Sequence, residues 1–252
     1  EAVAVTVGAM ESGAPLVLGG WLPDDITGGR TGRPDILIHV DGGYLPADVK
    51  HHKTIQPAKK ATRRVSSATR PAHWWDAPGI TASAHHYGDS MQLAHYTRML
   101  KACGFHPGDH VLLGAILGTS LFAAQGGEPE LVFVWHDLTT ASRPTFSRSR
   151  GRVLRSVLER YDHEHDFRVK VAQTASRITG SAADPDPLVV PIGQKECADC
   201  PYLQWCSDVM GSEDASAAIT RDRLAVREWR VLRNLGIATT AELAELQPED
   251  PE

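Results

Sequence analysis

The sequence predicts an α/β (α+β) fold: a mixed central sheet flanked by helices, with a small helical appendage at its C-terminal end. Three observations lead there. Apolar runs of strand length, such as 36–40 and 131–135, are bounded by Gly- and Asp-containing turns. Segments with helical spacing alternate with those runs, as they do when helices cover a sheet. The 252 residues, 42% apolar and 23% charged, match an ordinary globular chain large enough for one main domain and an appendage.

The elements follow in order. Residues 15–21 read as a short strand, followed by a Gly- and Asp-rich turn through Gly32. Residues 36–40 form a second strand; Asp41, Gly42 and Gly43 supply turn chemistry, and 44–50 return as a third strand, giving a hairpin. Pro46 inside that return strand predicts an edge position or a local irregularity. Residues 53–80 carry no clean period and read as a basic loop or part-helical excursion ending at His73, Trp74 and Trp75. A helix spans 90–102, with Asp89 as N-cap and Gly104 as its stop. Two further strands, 111–118 and 131–135, flank a turn at 125–129. Residues 151–176 read as one long amphipathic helix with Val153, Leu154, Val157, Leu158 and Tyr161 on one side. After Cys206 a polar stretch precedes a helix over 217–235, and Gly236 with Thr239 or Thr240 begins a new one.

Composition narrows the function classes. No apolar run approaches the roughly 20 residues that span a bilayer, so no membrane partner is expected. No basic-then-apolar leader opens the chain, which points to the cytoplasm. Four cysteines, three of them within ten residues, favour metal ligation over bridges. The net charge of −5 is unremarkable for a partner, but its distribution is not. Lys50, Lys53, Lys59, Lys60, Arg63, Arg64 and Arg70 occupy 49–75 without one acid, and Arg143, Arg148, Arg150, Arg152 and Arg155 occupy 143–155 likewise. Two local cationic stretches can attract phosphate without making the whole protein sticky; solvated loops are the plainer alternative.

The hairpin carries the chemistry. Asp48 and Lys50, two apart on a strand, share a face, and folding at residues 41–43 should set Asp35 across from Asp48. Two carboxylates and an ammonium would then converge. Hard oxygen ligands of this kind suit Mg²⁺ or Mn²⁺, with the Val49 carbonyl as a third donor. Such an ion polarises a phosphoryl oxygen and acidifies bound water, while Lys50 orients that water or stabilises charge. A turn aspartate and two exposed strand charges remain the simpler alternative.

Pro34-Asp35 followed by Asp48-Val49-Lys50 resembles the two central motifs of the PD-(D/E)xK nucleases, and of their RecB-like branch in particular. Gln92 and Tyr96, four apart and so on one helix face, resemble that branch's Gln-x-x-x-Tyr motif. Read from the residues alone, Gln92 is equally a capping-box glutamine and Tyr96 plain core. The resemblance covers roughly residues 30–210. It implies a restriction-endonuclease-like sheet over a domain of residues 1–211, with 212–252 as a helical region similar to the start of a helix–hairpin–helix element. It also implies metal-dependent hydrolysis of DNA, with Gln92 and Tyr96 positioning the scissile strand. Lys53, Lys59, Lys60, Arg63 and Arg64 would contact phosphates, and Trp74 or Trp75 would stack on a base of single-stranded DNA.

Cys197, Cys200 and Cys206, spaced C-x2-C-x5-C, are similar to the triads that close AddB-type and CRISPR-associated adaptation nucleases around a 4Fe–4S cluster; Zn²⁺ is the alternative metal. Two departures stand out. Cys103 lies where the family uses no cysteine and reads as a small, half-buried hydrophobe, with completion of the cluster by Cys103 or a degenerate site as the alternatives, and no histidine precedes His39. The resemblance implies that the missing Cys and His lie on a segment before Glu1, and it leaves room for additional domains or a helicase partner. A catalytically inactive DNA-binding module on the same scaffold, and a zinc-stabilised interaction domain, are the competing expectations.

Overall fold

Residues 36–38 are apolar without interruption because both faces of their strand are covered. The computed structural model describes residues 1–83, 86–123, 127–147, 151–193, 195–218, 224 and 226–246. These fall into two compact units, Glu1–Lys170 and Val171–Glu252, whose division differs from the functional boundary expected at 211.

The first unit is built from α1 (Ala2–Glu11), β1 (Leu16–Leu18), β2 (Ile36–Val40), β3 (Gly43–Val49), β4 (Ile55–Ser67), β5 (Trp74–Ala82), α2 (His86–Ala102), β6 (Leu113–Phe122), β7 (Glu130–Asp137), β8 (Arg143–Ser147), β9 (Gly151–Arg155) and most of α3 (Val157–Ala175). Seven strands form a mixed sheet in the order β1-β2-β3-β6-β7-β4-β5, and β8 pairs with β9 separately. Every neighbouring pair in the large sheet is antiparallel except β3 with β6. The structure is thus α+β, with a mostly antiparallel sheet flanked by helices.

Alternation along β2 and β3 assigns the faces. Leu37 and Tyr44 pack with Met10 of α1 and with Tyr96, Met99 and Leu100 of α2. Ile36, Ile38, Leu45 and Ala47 turn the other way, onto Ala115, Phe133 and Trp135. By the same alternation Asp48 and Lys50 belong to the face that α2 covers.

Several expectations need correction. Pro46 is not on an edge: β3 lies between β2 and β6. The amides of Tyr44 and Lys50 bond to Phe105 and Leu117 on the side away from β2. The missing Pro46 N–H therefore falls on that side, where pairing with β6 begins only at Ala47. Residues 53–80 are not a loop or helix but the β4–β5 hairpin, with an irregularity between Pro57 and Thr62. Its alternation is hidden because β4 pairs with a second strand only from Val65 to Ser67, leaving the basic part with one neighbour. Residues 151–155 are a strand rather than the start of the long helix. The helix opens where Ser156 accepts from the Glu159 amide (3.1 Å) and Glu159 accepts from the Ser156 amide (2.7 Å), a capping box. Asp89 sits inside the first turn of α2 rather than capping it. Helix α1 carried no signal used in the sequence reading.

In the second unit a 3₁₀ turn (Lys195–Asp199) leads to α4 (Leu203–Met210), α5 (Ala215–Ala218), α6 (Val226–Asn234) and α7 (Thr240–Ala244). The helix expected over 217–235 is described as α5 and α6, while residues 219–223 and 225 lie outside the described residues. Gly236, at φ +80°, ends α6 as expected, and Thr239 caps α7 with Glu242. Among the described residues no helix is long and apolar enough to cross a membrane.

Candidate active site

The hairpin positions the acids as its arithmetic requires. Ile36 pairs with Ala47 and Val40 with Gly43, so the register carried one step further sets Asp35 opposite Asp48. The chain turns at Asp41 and Gly42, the latter at φ +85°, a conformation glycine adopts without a Cβ penalty. The Asp35 carboxylate accepts the Val49 amide at 2.8 Å. Lys50 forms an ion pair with Asp48 and donates to Gln92 Oε1 at 2.8 Å. Gln92 Nε2 in turn donates to the Tyr96 hydroxyl at 3.3 Å. Asp35, Asp48, Lys50, Gln92 and Tyr96 are thereby brought into one connected group, and Gln92 serves it rather than capping α2.

Burial separates the two acids. Asp48 is 1% exposed, whereas Asp35 is open to solvent. Desolvation, together with the hydrogen bond to Asp35, pushes Asp48 up to about 6 despite Lys50. Asp35 is desolvated too, but the hydrogen bonds from Asp48 and the Val49 amide, with the charges of Lys50 and Arg33, hold it below its ordinary value. On acidification Asp48 is therefore the first of the pair to take up a proton. Lys50 loses some solvation, yet Asp48, Asp89 and Asp35 outweigh that and keep it an ammonium. It can orient water and stabilise negative charge; it is not a base.

Helix α2 fixes the approach to Asp35 through backbone carbonyls. Tyr96 OH donates to Arg33 O (3.1 Å) and His95 Nε2 donates to Thr31 O (3.0 Å). His165 of α3 donates to Gly28 O at 2.7 Å. Since a carbonyl only accepts, His95 carries its proton on Nε2, and Nδ1 accepts from Tyr161 OH at 2.7 Å. Tyr161 OH also accepts from Arg30 Nε (3.1 Å), and Arg30 pairs with Asp25 at 2.8 Å. At Gly32 a Cβ would stand 2.8 Å from the Tyr96 ring, so the loop lies directly on α2. Sequence reasoning missed this clamp, whose longest link joins residues 137 positions apart. It also missed Asp89, whose carboxylate accepts from His52 Nε2 at 3.0 Å and whose charge acts on Lys50. Its signal was available: Asp89 precedes Gln92 by three residues, hence on the same helix face.

Of the expected nucleic-acid contacts, Lys53, Lys59 and Lys60 are exposed. Arg64 is exposed and pairs with Asp76 at 3.5 Å, whereas Arg63 is half-buried and reaches Thr81. Trp74 packs on Trp135 with ring centroids 4.9 Å apart, and Trp75 packs against the cluster around Val65 and Ile80; both are half-buried. Arg148 and Arg150 lie outside the described residues.

In the second unit Cys197 ends within the 3₁₀ turn, Cys200 follows it with its amide on the Cys197 carbonyl (3.1 Å), and Cys206 sits in α4. All three are half-buried. Cys103 belongs to the other unit; its thiol donates to Leu100 O at 3.6 Å and burial pushes it up, as befits a packed hydrophobe.

The acidic pair suits a divalent cation. Asp48 Oδ2 is buried without a hydrogen bond of good geometry, and the solvent-open Asp35 beside it supplies further hard oxygens. Among the described residues no three His, Cys, Asp or Glu side chains gather at one point, so a cation here would rest on two carboxylates, a carbonyl, water and substrate. The chain matches no protein-family model, curated protein or solved structure.

Proposed function

We propose that this chain is a metal-dependent deoxyribonuclease of the RecB-like PD-(D/E)xK kind, acting on single-stranded DNA in repair, recombination or defence in the cytoplasm. The observation that carries the reading is the convergence of Asp35, Asp48, Lys50, Gln92 and Tyr96, with Asp48 buried beside the solvent-open Asp35. Two neighbouring carboxylates, one of them withdrawn from water, form a place where a cation can stand. Asp35, Asp48 and the Val49 carbonyl would hold Mg²⁺ or Mn²⁺, which when bound supplies Lewis acidity and an acidified water. Lys50 orients the attacking water and offsets charge growing on the phosphoryl oxygens. Gln92 fixes the Lys50 ammonium, and Tyr96 fixes the strand that leads into Asp35. Water oxygen bonds to phosphorus, one P–O ester bond breaks, and the departing oxygen takes up a proton. Lys53, Lys59, Lys60 and Arg64 of the β4–β5 hairpin supply phosphate contacts. Cys197, Cys200 and Cys206 would hold a 4Fe–4S cluster, or Zn²⁺ in its place, once drawn together, since among the described residues no three such side chains gather at one point.

Asp48→Asn keeps the shape of the side chain while removing its charge. We expect it to lower Mn²⁺-dependent cleavage of single-stranded DNA by at least about a thousandfold, in the range typical of losing a central electrostatic group, with an unchanged circular dichroism spectrum. Cleavage at the wild-type rate would overturn the assignment. DNA binding without turnover by wild type in Mg²⁺ and Mn²⁺ would point instead to an inactive binding module.

A further inference from the structure

We propose that the cavity between α2 and α3, of about 460 Å³, holds one nucleotide of the strand presented to the carboxylates. The nuclease reading supplies its context, but the pocket's chemistry stands apart from the acids. Gln92 belongs to both places, so the cavity begins one side chain away from Lys50. Its walls are planar: the rings of Tyr161 and His165 stack at 5.3 Å and 18°, and His95 meets both edge-on at 5.7 and 6.2 Å.

The polar atoms of those rings are mostly committed elsewhere. Both His95 nitrogens, the Tyr161 hydroxyl and His165 Nε2 bind Thr31, Arg30, Gly28 and one another. Tyr161 is buried, with His165 stacked on its ring and the Arg30 guanidinium over it at 5.7 Å, so what remains for a ligand is the half-buried His165 ring, the ring edges, the thioether of Met91 and the second amide N–H of Gln92. Charge at the rim is lopsided. Glu164 is ion-paired with Arg160, whereas Arg168 is exposed and forms no ion pair among the described residues. One half-buried imidazole, apolar edges, one amide donor and one open guanidinium fit a base with its phosphate. A bare anion would leave the imidazole and the thioether unused, and the volume suits a small organic ligand.

Binding of dTMP and dAMP, followed by saturation-transfer NMR and titration calorimetry in EDTA, tests this without the cation. Both nucleotides should bind wild type and Asp48→Asn alike. Arg168→Ala, a surface change that spares the fold, should weaken binding at least about fivefold. His165→Ala should do so too, with His165→Gln as the variant that keeps a donor to Gly28. Absence of binding to wild type, or binding unmoved by Arg168→Ala and His165→Ala, overturns the proposal. Nucleotide binding in a protein that never cleaves DNA would sink the nuclease reading alone; cleavage without nucleotide binding would sink the pocket alone.

Discussion

Asp48 is forced to choose between a proton and a cation. Water cannot reach it, Asp35 stands beside it, and its ordinary value of 3.8 rises to about 6. Between those two values the native state holds a proton that the unfolded chain has released. Stability from this group is therefore complete below pH 3.8 and is lost as pH rises through about 6. The rise corresponds to roughly 3 kcal/mol, partly offset by Asp35, whose lowered value stabilises the fold above its ordinary pKa and stops doing so on acidification. In EDTA the melting temperature of wild type should fall relative to Asp48→Asn between about pH 4 and pH 7. Mn²⁺ competes with the same proton, so the melting shift it produces should grow over that range and vanish in Asp48→Asn. Parallel melting curves for the two proteins at every pH would mean that Asp48 is not the protonated member.

The elements differ in how much the sequence disclosed of them, and the reason is how each is buried. The β2–β3 hairpin was legible because a two-residue loop fixes its register, and the register alone places Asp35 against Asp48. Gln92 and Tyr96 were singled out by their resemblance to a Gln-x-x-x-Tyr motif, to which helical spacing adds only that they share a face. The β4–β5 hairpin was not: most of its length meets a single neighbouring strand, so nothing forces apolar residues onto alternate positions. Strand β9 was misread because Val153 and Leu154 continue the spacing of Val157 and Leu158, while the Ser156–Glu159 box that marks the true start went unused. The β4–β5 hairpin is also where a charge prediction belongs. Lys59 and Lys60 are exposed on it, and each phosphate neutralised on a single strand contributes about 0.7 to the slope of log K against log salt. Lys59→Ala with Lys60→Ala should reduce that slope by roughly 1.4 for single-stranded DNA, read by fluorescence anisotropy, while leaving the cleavage rate at saturation unchanged. An unchanged slope would remove the hairpin from the DNA path.

At the scale of the molecule, the two units are stabilised by different means. The first buries apolar side chains in four clusters through its sheet. In the second, Ala215 is the one buried apolar residue among those described, while Leu188, Val189, Val190, Tyr202, Leu203, Trp205 and Val209 are 41–70% exposed. A segment of that size with so little buried apolar surface needs another source of order, and thiolates gripping a metal are the common one. Capping of α7 and the Asp214–Arg233 ion pair contribute locally but do not replace a core. Anaerobically purified protein should therefore carry iron, with broad absorbance near about 400 nm, or stoichiometric zinc, and Cys197→Ser should lose it. With the metal gone, limited proteolysis followed by mass spectrometry should cut within residues 171–246 while residues 1–170 stay intact, because the sheet has its own core. Equal resistance of the stripped and loaded protein across 171–246 would show that the three cysteines hold nothing the fold depends on.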